Sequence, residues 1–264
     1  MDLQLKGKRA FISGSTQGIG FAIAHQLLQE GAVVVINGRS EKRVEEAVER
    51  LRKATAGSQV AGIAADYSKA ADVEALVKKL DAVDILINNA GIFEPKEFVD
   101  ITDEEWMRFF EVNVLSGVRL SRALLPKMLE KNWGRIIFIS SESAINIPVE
   151  MIHYGTTKTA QLAVSRGLSE LTKGTGVTVN TVLPGPTSSE GVADFVKQVA
   201  TSRGITPQEA EADFFKTMRP TSLIQRFAGV EEIANLVTYL SSPRSSATNG
   251  SALRADGGVV KMIF

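Results

Sequence analysis

A tyrosine and a lysine stand one helical turn apart in the stretch 152–158 (IHYGTTK), as Tyr154 and Lys158. Both normally keep their protons at neutral pH, with reference pKa values of roughly 10 and 10.4. As a solvated surface pair they do nothing. Held together in a cleft, the ammonium favours phenolate and makes the phenol usable as an acid or base. A second candidate lies near the start of the chain, where Ser13-Gly14-Ser15-Thr16-Gln17-Gly18-Ile19-Gly20 spaces its glycines as G-x-x-x-G-x-G. Gly14 permits a tight exit from a strand, Gly18 lets a pyrophosphate approach the backbone, and Gly20 lets the next helix pack close. The N–H groups exposed there and the helix dipole attract phosphate. Without a ligand the same residues are only a turn. Their place between an apolar run and an amphipathic segment favours a dinucleotide.

The run Ile36-Asn37-Gly38-Arg39-Ser40 bears on which dinucleotide is expected. A carboxylate at the tip of the second strand would take a ribose hydroxyl, whereas an arginine accommodates a 2′-phosphate. No carboxylate stands there. Gly38 leaves room and Arg39 supplies a bidentate donor, which favours NADP over NAD. A solvated turn in which Glu41 pairs with Arg39 is the plainer account. Asp66 has two equal readings: acceptor for an adenine amino group, or cap for the segment 69–80.

The rest of the chain must position these groups. Seven short β-branched runs, 9–13, 32–37, 59–65, 84–88, 135–140, 177–183 and 251–255, read as strands, several apolar on both faces. Helical spacing fills 19–30, 41–53, 72–80 and 103–130, the last with a kink or end expected at Pro126. This alternation predicts one α/β domain over 1–264, a doubly wound, mostly parallel seven-stranded sheet with helices on both faces. Segment 187–220 breaks the rhythm and reads as a substrate lid. With 264 residues, 44% hydrophobic, and thirty Lys and Arg against thirty Asp and Glu, no charge excess points to nucleic acid or a membrane surface. There is no cysteine, and two histidines offer no metal constellation. No apolar run approaches the ~20 residues of a membrane span. A soluble, cytoplasmic protein is expected.

Taken together, the motifs resemble the short-chain dehydrogenase/reductases in their single-domain form. Besides the glycine turn, Asn88-Asn89-Ala90-Gly91 is similar to the family's NNAG stretch and Asn113 to its helix asparagine. Ser141 precedes Tyr154 by the family's spacing, Tyr154 and Lys158 match its Tyr-x-x-x-Lys, and Pro184-Gly185-Pro186-Thr187 and Asp256-Gly257-Gly258 match later landmarks. The ordered set spans nearly the whole chain. Departures are Ser13, Thr156-Thr157 and Glu142, where threonine, Ala-Ser and a small or apolar residue are usual; only Glu142 bears on substrate choice.

The resemblance implies an NADP(H)- or NAD(H)-dependent oxidoreductase that reduces a ketone or 3-oxoacyl group, or runs the reverse. Tyr154 is then the acid/base, with Lys158 lowering its pKa. Ser141 holds the substrate oxygen, and Asn113 holds a water that links Lys158 to solvent. Strand alternation lets only one of Ser140 and Ser141 serve. His153 is turned away from Tyr154 and reads as packing. Cofactor contacts are expected from Gly14, Ser15, Thr16, Gln17, Gly18, Ile19, Gly20, Arg39, Asp66, Asn88, Ala90, Gly91, Tyr154, Lys158, Pro184, Gly185 and Thr187. Phe93, Glu142, Ile147, Met151 and Phe195, with Phe214 and Phe215, are the substrate-pocket candidates and suggest an apolar or amphipathic carbonyl compound. A homodimer or homotetramer is expected, for which the apolar stretch 115–129 would suit. Two other readings fit the same fold: a non-catalytic dinucleotide-sensing regulator, and an isomerase or dehydratase.

Overall fold

The computed structural model describes residues 1–80 and 82–263, the Phe195 side chain excepted. In chain order the strands are β1 (Arg9–Ile12), β2 (Val33–Gly38), β3 (Val60–Ala64), β4 (Ile85–Asn88), β5 (Gly134–Ile139), β6 (Val177–Pro184), the short β7 (Thr187–Ser188) and β8 (Ala228–Gly229), and β9 (Ala252–Ala255). The helices are α1 (Gly18–Gln29), α2 (Glu41–Ala54), α3 (Ala70–Lys79), α4 (Asp103–Phe110), α5 (Ser116–Glu130), α6 (Ile152–Glu170), α7 (Glu190–Arg203), α8 (Pro207–Thr217) and α9 (Val230–Leu240). Seven strands form one sheet in the order β3-β2-β1-β4-β5-β6-β9, and every pairing in it is parallel. The order reverses between β1 and β4. In open parallel sheets that is where a ligand crevice opens beyond the strand ends.

Side-chain alternation divides the core into two layers. Ala10, Ile12, Ile85, Ile87, Ile137 and Ile139 face one cluster, shared with Ile23 and Leu27 of α1 and Ile233 and Val237 of α9. Phe11, Leu86, Ile136, Phe138, Val177 and Val179 face the other, shared with Val73 and Leu76 of α3 and Leu120 and Leu124 of α5. Successive strand residues point to opposite faces, so the doubly apolar runs need helices on both sides, and have them.

The segment 103–130 is not one helix with a late break. A capping box between Thr102 and Glu105 opens α4. A π-helical turn at Glu111–Leu115 then separates α4 from α5, and α5 runs through Pro126 to Glu130. The irregularity falls on Asn113 rather than on the proline. Within 115–129, Leu120, Leu124, Leu125 and Met128 face the core. In 187–220, α7 ends on a left-handed Gly204 and α8 begins with Pro207 and a Thr206–Glu209 capping box. No helix among the described residues is long and apolar enough to cross a membrane.

Candidate active site

A cavity of about 1310 Å³ lies over the carboxyl ends of β1, β2, β4, β5 and β6, with α7 and α8 along one side. Of the expected cofactor contacts it is lined by Gly14, Thr16, Gln17, Gly18, Ile19, Gly20, Arg39, Asp66, Ala90, Gly91, Tyr154, Lys158, Pro184, Gly185 and Thr187. Two of the expected contacts are elsewhere. Ser15 is fully buried, its hydroxyl donating to the Ile12 carbonyl and accepting from the Asn37 N–H. Asn88 is buried away from the cavity and donates to Ser121 on α5. Its neighbour Asn89 takes the cavity position and ties down the turn by donating to the carbonyls of Ser13 and Gly14. A single step along the chain changes the face, which decides between the two asparagines.

Backbone geometry makes the glycine turn. Gly14 and Gly18 both sit at φ +60°, in the left-handed region. A Cβ on Gly20 would lie 2.5 Å from Asn89 Nδ2 and 2.8 Å from the Gly14 carbonyl, so only glycine fits. The Gly18 N–H donates at 2.9 Å to a carboxylate oxygen of Glu190, the first residue of α7. An anionic group thus already sits at the N-terminus of α1, where a phosphate would be held. At the far end Arg39 and Arg43 both line the cavity, and Arg43 bonds the Gln17 side chain. The tip of β2 alone does not reveal Arg43, which reaches the cavity from the first turn of α2. Asp66 accepts from the N–H and hydroxyl of Ser68 and does not cap α3, whose cap position is Lys69. Thr187 donates to the Gly185 carbonyl. Glycine turn, anion position, paired cations and cavity size together fit a nicotinamide dinucleotide.

The reactive end is assembled from β5, α6 and the π turn. Ser140 donates its hydroxyl to the Lys158 carbonyl, which leaves Ser141 as the serine beside Tyr154. Gly155 allows the chain after β5 to pack on α6: a Cβ there would lie 2.7 Å from Ile147 and 3.0 Å from the Ser143 carbonyl. Lys158 Nζ stands 5.6 Å from the centre of the Tyr154 ring and donates to the Ile139 carbonyl at 2.9 Å and to Gln161 Oε1 at 3.4 Å. Asn113 does not present a free side chain to water. Its Oδ1 accepts from the Ile92 N–H, and its Nδ2 donates to the Ile92 carbonyl and Thr157 Oγ1. Its own carbonyl accepts from Gln161 Nε2. Asn113 therefore clamps the loop after β4 to α6, and Gln161, unremarked in the sequence, bridges it to Lys158. His153 packs against Phe109 and Trp106.

Electrostatics at this end run against the expectation that Lys158 lowers the tyrosine pKa. Burial pushes the Tyr154 phenol up to about 12; the Ser141 hydroxyl pulls the other way and the Glu142 charge adds to the rise. Burial also pushes Lys158 down to about 8. In the ligand-free protein desolvation is the largest influence on the phenol, which holds its proton firmly.

On the substrate side Phe93, Glu142, Met151 and Phe214 line the cavity, and Phe93 meets Tyr154 edge-on at 6.3 Å. Ile147 does not line it, being half-exposed and packed on Gly155. Phe215 is buried in a cluster with Phe214 and Phe227. The Phe195 side chain lies outside the described residues. Arg219, absent from the expected set, lines the cavity and pairs with Glu142 at 2.8 Å. The two are far apart in sequence, so no local pattern signalled the contact.

Comparison with known proteins agrees with this arrangement. A short chain dehydrogenase family model matches residues 8–200. The uncharacterized oxidoreductase YvaG of Bacillus subtilis is 53% identical over 100% of both chains. The D-beta-hydroxybutyrate dehydrogenase of Cupriavidus necator is 31% identical over 97% of this chain and 99% of its own. The solved L-sorbose reductase of Gluconobacter frateurii, complexed with NADPH and L-sorbose, superposes with a TM-score of 0.94 at 31% identity, covering 100% of both chains. The chain belongs to the short-chain dehydrogenase/reductase family and is an NAD(P)-dependent oxidoreductase.

Proposed function

We propose that this protein reduces a ketone or 3-oxoacyl group to a secondary alcohol, or runs the reverse, with NADP(H) as the favoured cofactor. The observation that carries the reading is the placement of Tyr154, Ser141 and Lys158 in the same cavity as the glycine turn. A nicotinamide dinucleotide supplies the hydride chemistry when bound. The chain's own residues do the rest. Ser141 Oγ, fixed by the Ser143 N–H at 3.1 Å, donates to the carbonyl oxygen and holds it near the phenol. Tyr154 gives that oxygen its proton. The raised pKa suits the acid's role, because the proton is in place across the physiological range. Lys158, held by the Ile139 carbonyl and Gln161, places positive charge beside the phenolate left behind. Segment 187–220 serves as the lid of a single catalytic domain. A cytoplasmic location and a homodimer or homotetramer go with this reading, the assembly being checked by light scattering.

The reading is tested by following oxidation of NADPH and NADH against a ketone and 3-oxoacyl panel, with the alcohol identified as product. Tight cofactor binding with no turnover across the panel would favour the sensor reading. Product without net cofactor oxidation would favour an isomerase or dehydratase.

NADP preference is supported by Gly38, Arg39 and the second cation Arg43 at the same end of the cavity. Arg39→Asp is expected to lower the NADPH-over-NADH affinity ratio by roughly tenfold or more, about 1.4 kcal/mol. Fluorescence titration of both reduced cofactors measures it, and an unchanged ratio removes the phosphate clamp. Glu190 gives a second expectation. Its carboxylate takes the Gly18 N–H and so competes with phosphate. Glu190→Gln is expected to tighten NADPH binding roughly 2- to 5-fold, the size of one charge at a helix N-terminus. An equal Kd would mean that the carboxylate yields at no cost.

A further inference from the structure

The substrate end of the cavity contains a charged pair that an apolar pocket has no use for. Glu142 directly follows Ser141 and is 3% exposed; Arg219, just beyond α8, is 8% exposed. The Arg219 guanidinium is fixed three ways: Nε donates to Glu142 Oε1 at 2.8 Å, Nη1 donates to the Met218 carbonyl at 2.9 Å, and the group stands 6.0 Å from the Phe214 ring. Two polar atoms of the pair are left over. Glu142 Oε2 is closed off from water and has no partner in hydrogen-bond geometry, although the Asn146 side chain stands near enough to act on the same carboxylate. Arg219 Nη2 finds no acceptor among the described residues, whereas Nε and Nη1 do.

Such an arrangement is costly for the protein alone. A buried pair is often no more stable than apolar residues of the same size, and an orphaned buried oxygen gives up its hydration with nothing in return. Its place beside the serine and tyrosine of the site points to a ligand. The leftover atoms are one acceptor and one donor. A hydroxyl answers both, accepting from Nη2 and donating to Oε2, while a methyl answers neither. The terminal torsion of a glutamate is soft, so Oε2 can turn toward the cavity. A carboxylate would satisfy Nη2 alone and would meet the Glu142 charge, which acts on Tyr154, and that of Asp256, which acts on Glu142. We propose that Glu142 and Arg219 form a subsite for a hydroxyl next to the substrate carbonyl, so that the substrates are uncharged hydroxy ketones. This rests on the carbonyl-reductase reading above and narrows it from the apolar or amphipathic compound expected from the sequence.

The test compares 1-hydroxy-2-ketones of three chain lengths with the ethyl ketones that carry a methyl in place of the hydroxyl, and with the matching 2-oxo acids. A site built around a substrate hydroxyl rejects the analogue lacking it strongly, so kcat/KM should favour the hydroxy ketones by ~10²-fold or more. Glu142→Leu combined with Arg219→Met removes both charges together and strands neither; the preference should then fall to within about threefold of unity. Binding is read separately as the rise in Tm with oxidised cofactor present, where ketones bind without turning over. Wild type should show a larger rise with hydroxy ketones than with matched ketones, and the double variant should not. Equal kcat/KM and equal Tm shifts in wild type, preference for the oxo acids, no Tm shift with any hydroxy ketone, or a preference retained in the double variant would each overturn the subsite. Undiminished turnover in Tyr154→Phe would instead strike the acid–base reading and leave the binding result standing.

Discussion

Tyr154→Phe is expected to lower kcat for ketone reduction by roughly 10²–10⁴-fold, the usual contribution of a positioned acid. The change deletes one oxygen and keeps the ring, so the edge contact with Phe93 at 6.3 Å survives. Thermal stability should stay close to that of wild type, since the phenol makes no protein hydrogen bond stronger than its approach to Ser141. The loss should fall on kcat more than on KM, because proton donation matters only as charge builds on the carbonyl oxygen. Ser141→Ala should show a smaller loss of the same kind. Steady-state kinetics beside a melting curve checks both variants. Full activity in Tyr154→Phe would remove the tyrosine from the chemistry, whatever its position in the cavity.

Much of this fold could be read from the chain because its signals are local and repeated. Runs such as 136–139 are apolar at every position, as a strand covered on both faces requires. Helix stops such as Gly31 and caps such as Thr206 mark their own boundaries. Pro126 misled because proline's missing N–H is a local argument, while the π turn at Asn113 answers to packing between the loop after β4 and α6. The site divided in the same way. Gly14, Gly18 and Tyr154–Lys158 announce themselves by spacing. Arg219 with Glu142, and Gln161 with Asn113, are partners set by tertiary structure and invisible to any window. Asn88 is missed by one residue, since neighbours on an extended chain face opposite ways, whereas Ser15 turns inward to the Ile12 carbonyl and the Asn37 N–H. The tyrosine pKa is not legible in the sequence, which shows a charge four residues away but not the burial that raises it.

That burial leads to an expectation opposite in sign for stability and for activity. Lys158 is 4% exposed, and desolvation lowers its pKa from an ordinary 10.5 to about 8. Below about pH 8 folded and unfolded chains both carry the proton, the folded one at a penalty on the order of 3 kcal/mol. Between pH 8 and 10.5 the unfolded chain binds more protons, so stability recovers as pH rises. The contribution is whole above about 10.5 and lost as pH falls through about 8. Lys158→Met removes the penalty and keeps most of the volume. It also strands the Ile139 carbonyl, at a cost of about 1–3 kcal/mol; the contact with Gln161 Oε1, at 3.4 Å, is too long to add much. The penalty is the larger, so the ligand-free variant at pH 7 should be more stable by about 1 kcal/mol, a Tm higher by roughly 2–4 °C. Its turnover should nevertheless fall by roughly 10²-fold or more, because the phenolate is left without its cation. The Tm gap should close between pH 8 and 10, above which Tyr154, with its pKa raised to about 12, begins to lower stability in both proteins. Melting curves across that range decide the matter. A variant less stable than wild type at pH 7, or a gap indifferent to pH, would mean that the buried ammonium is not held at a cost. A stabilised but inactive Lys158→Met would show the fold giving up stability to keep a charge beside Tyr154.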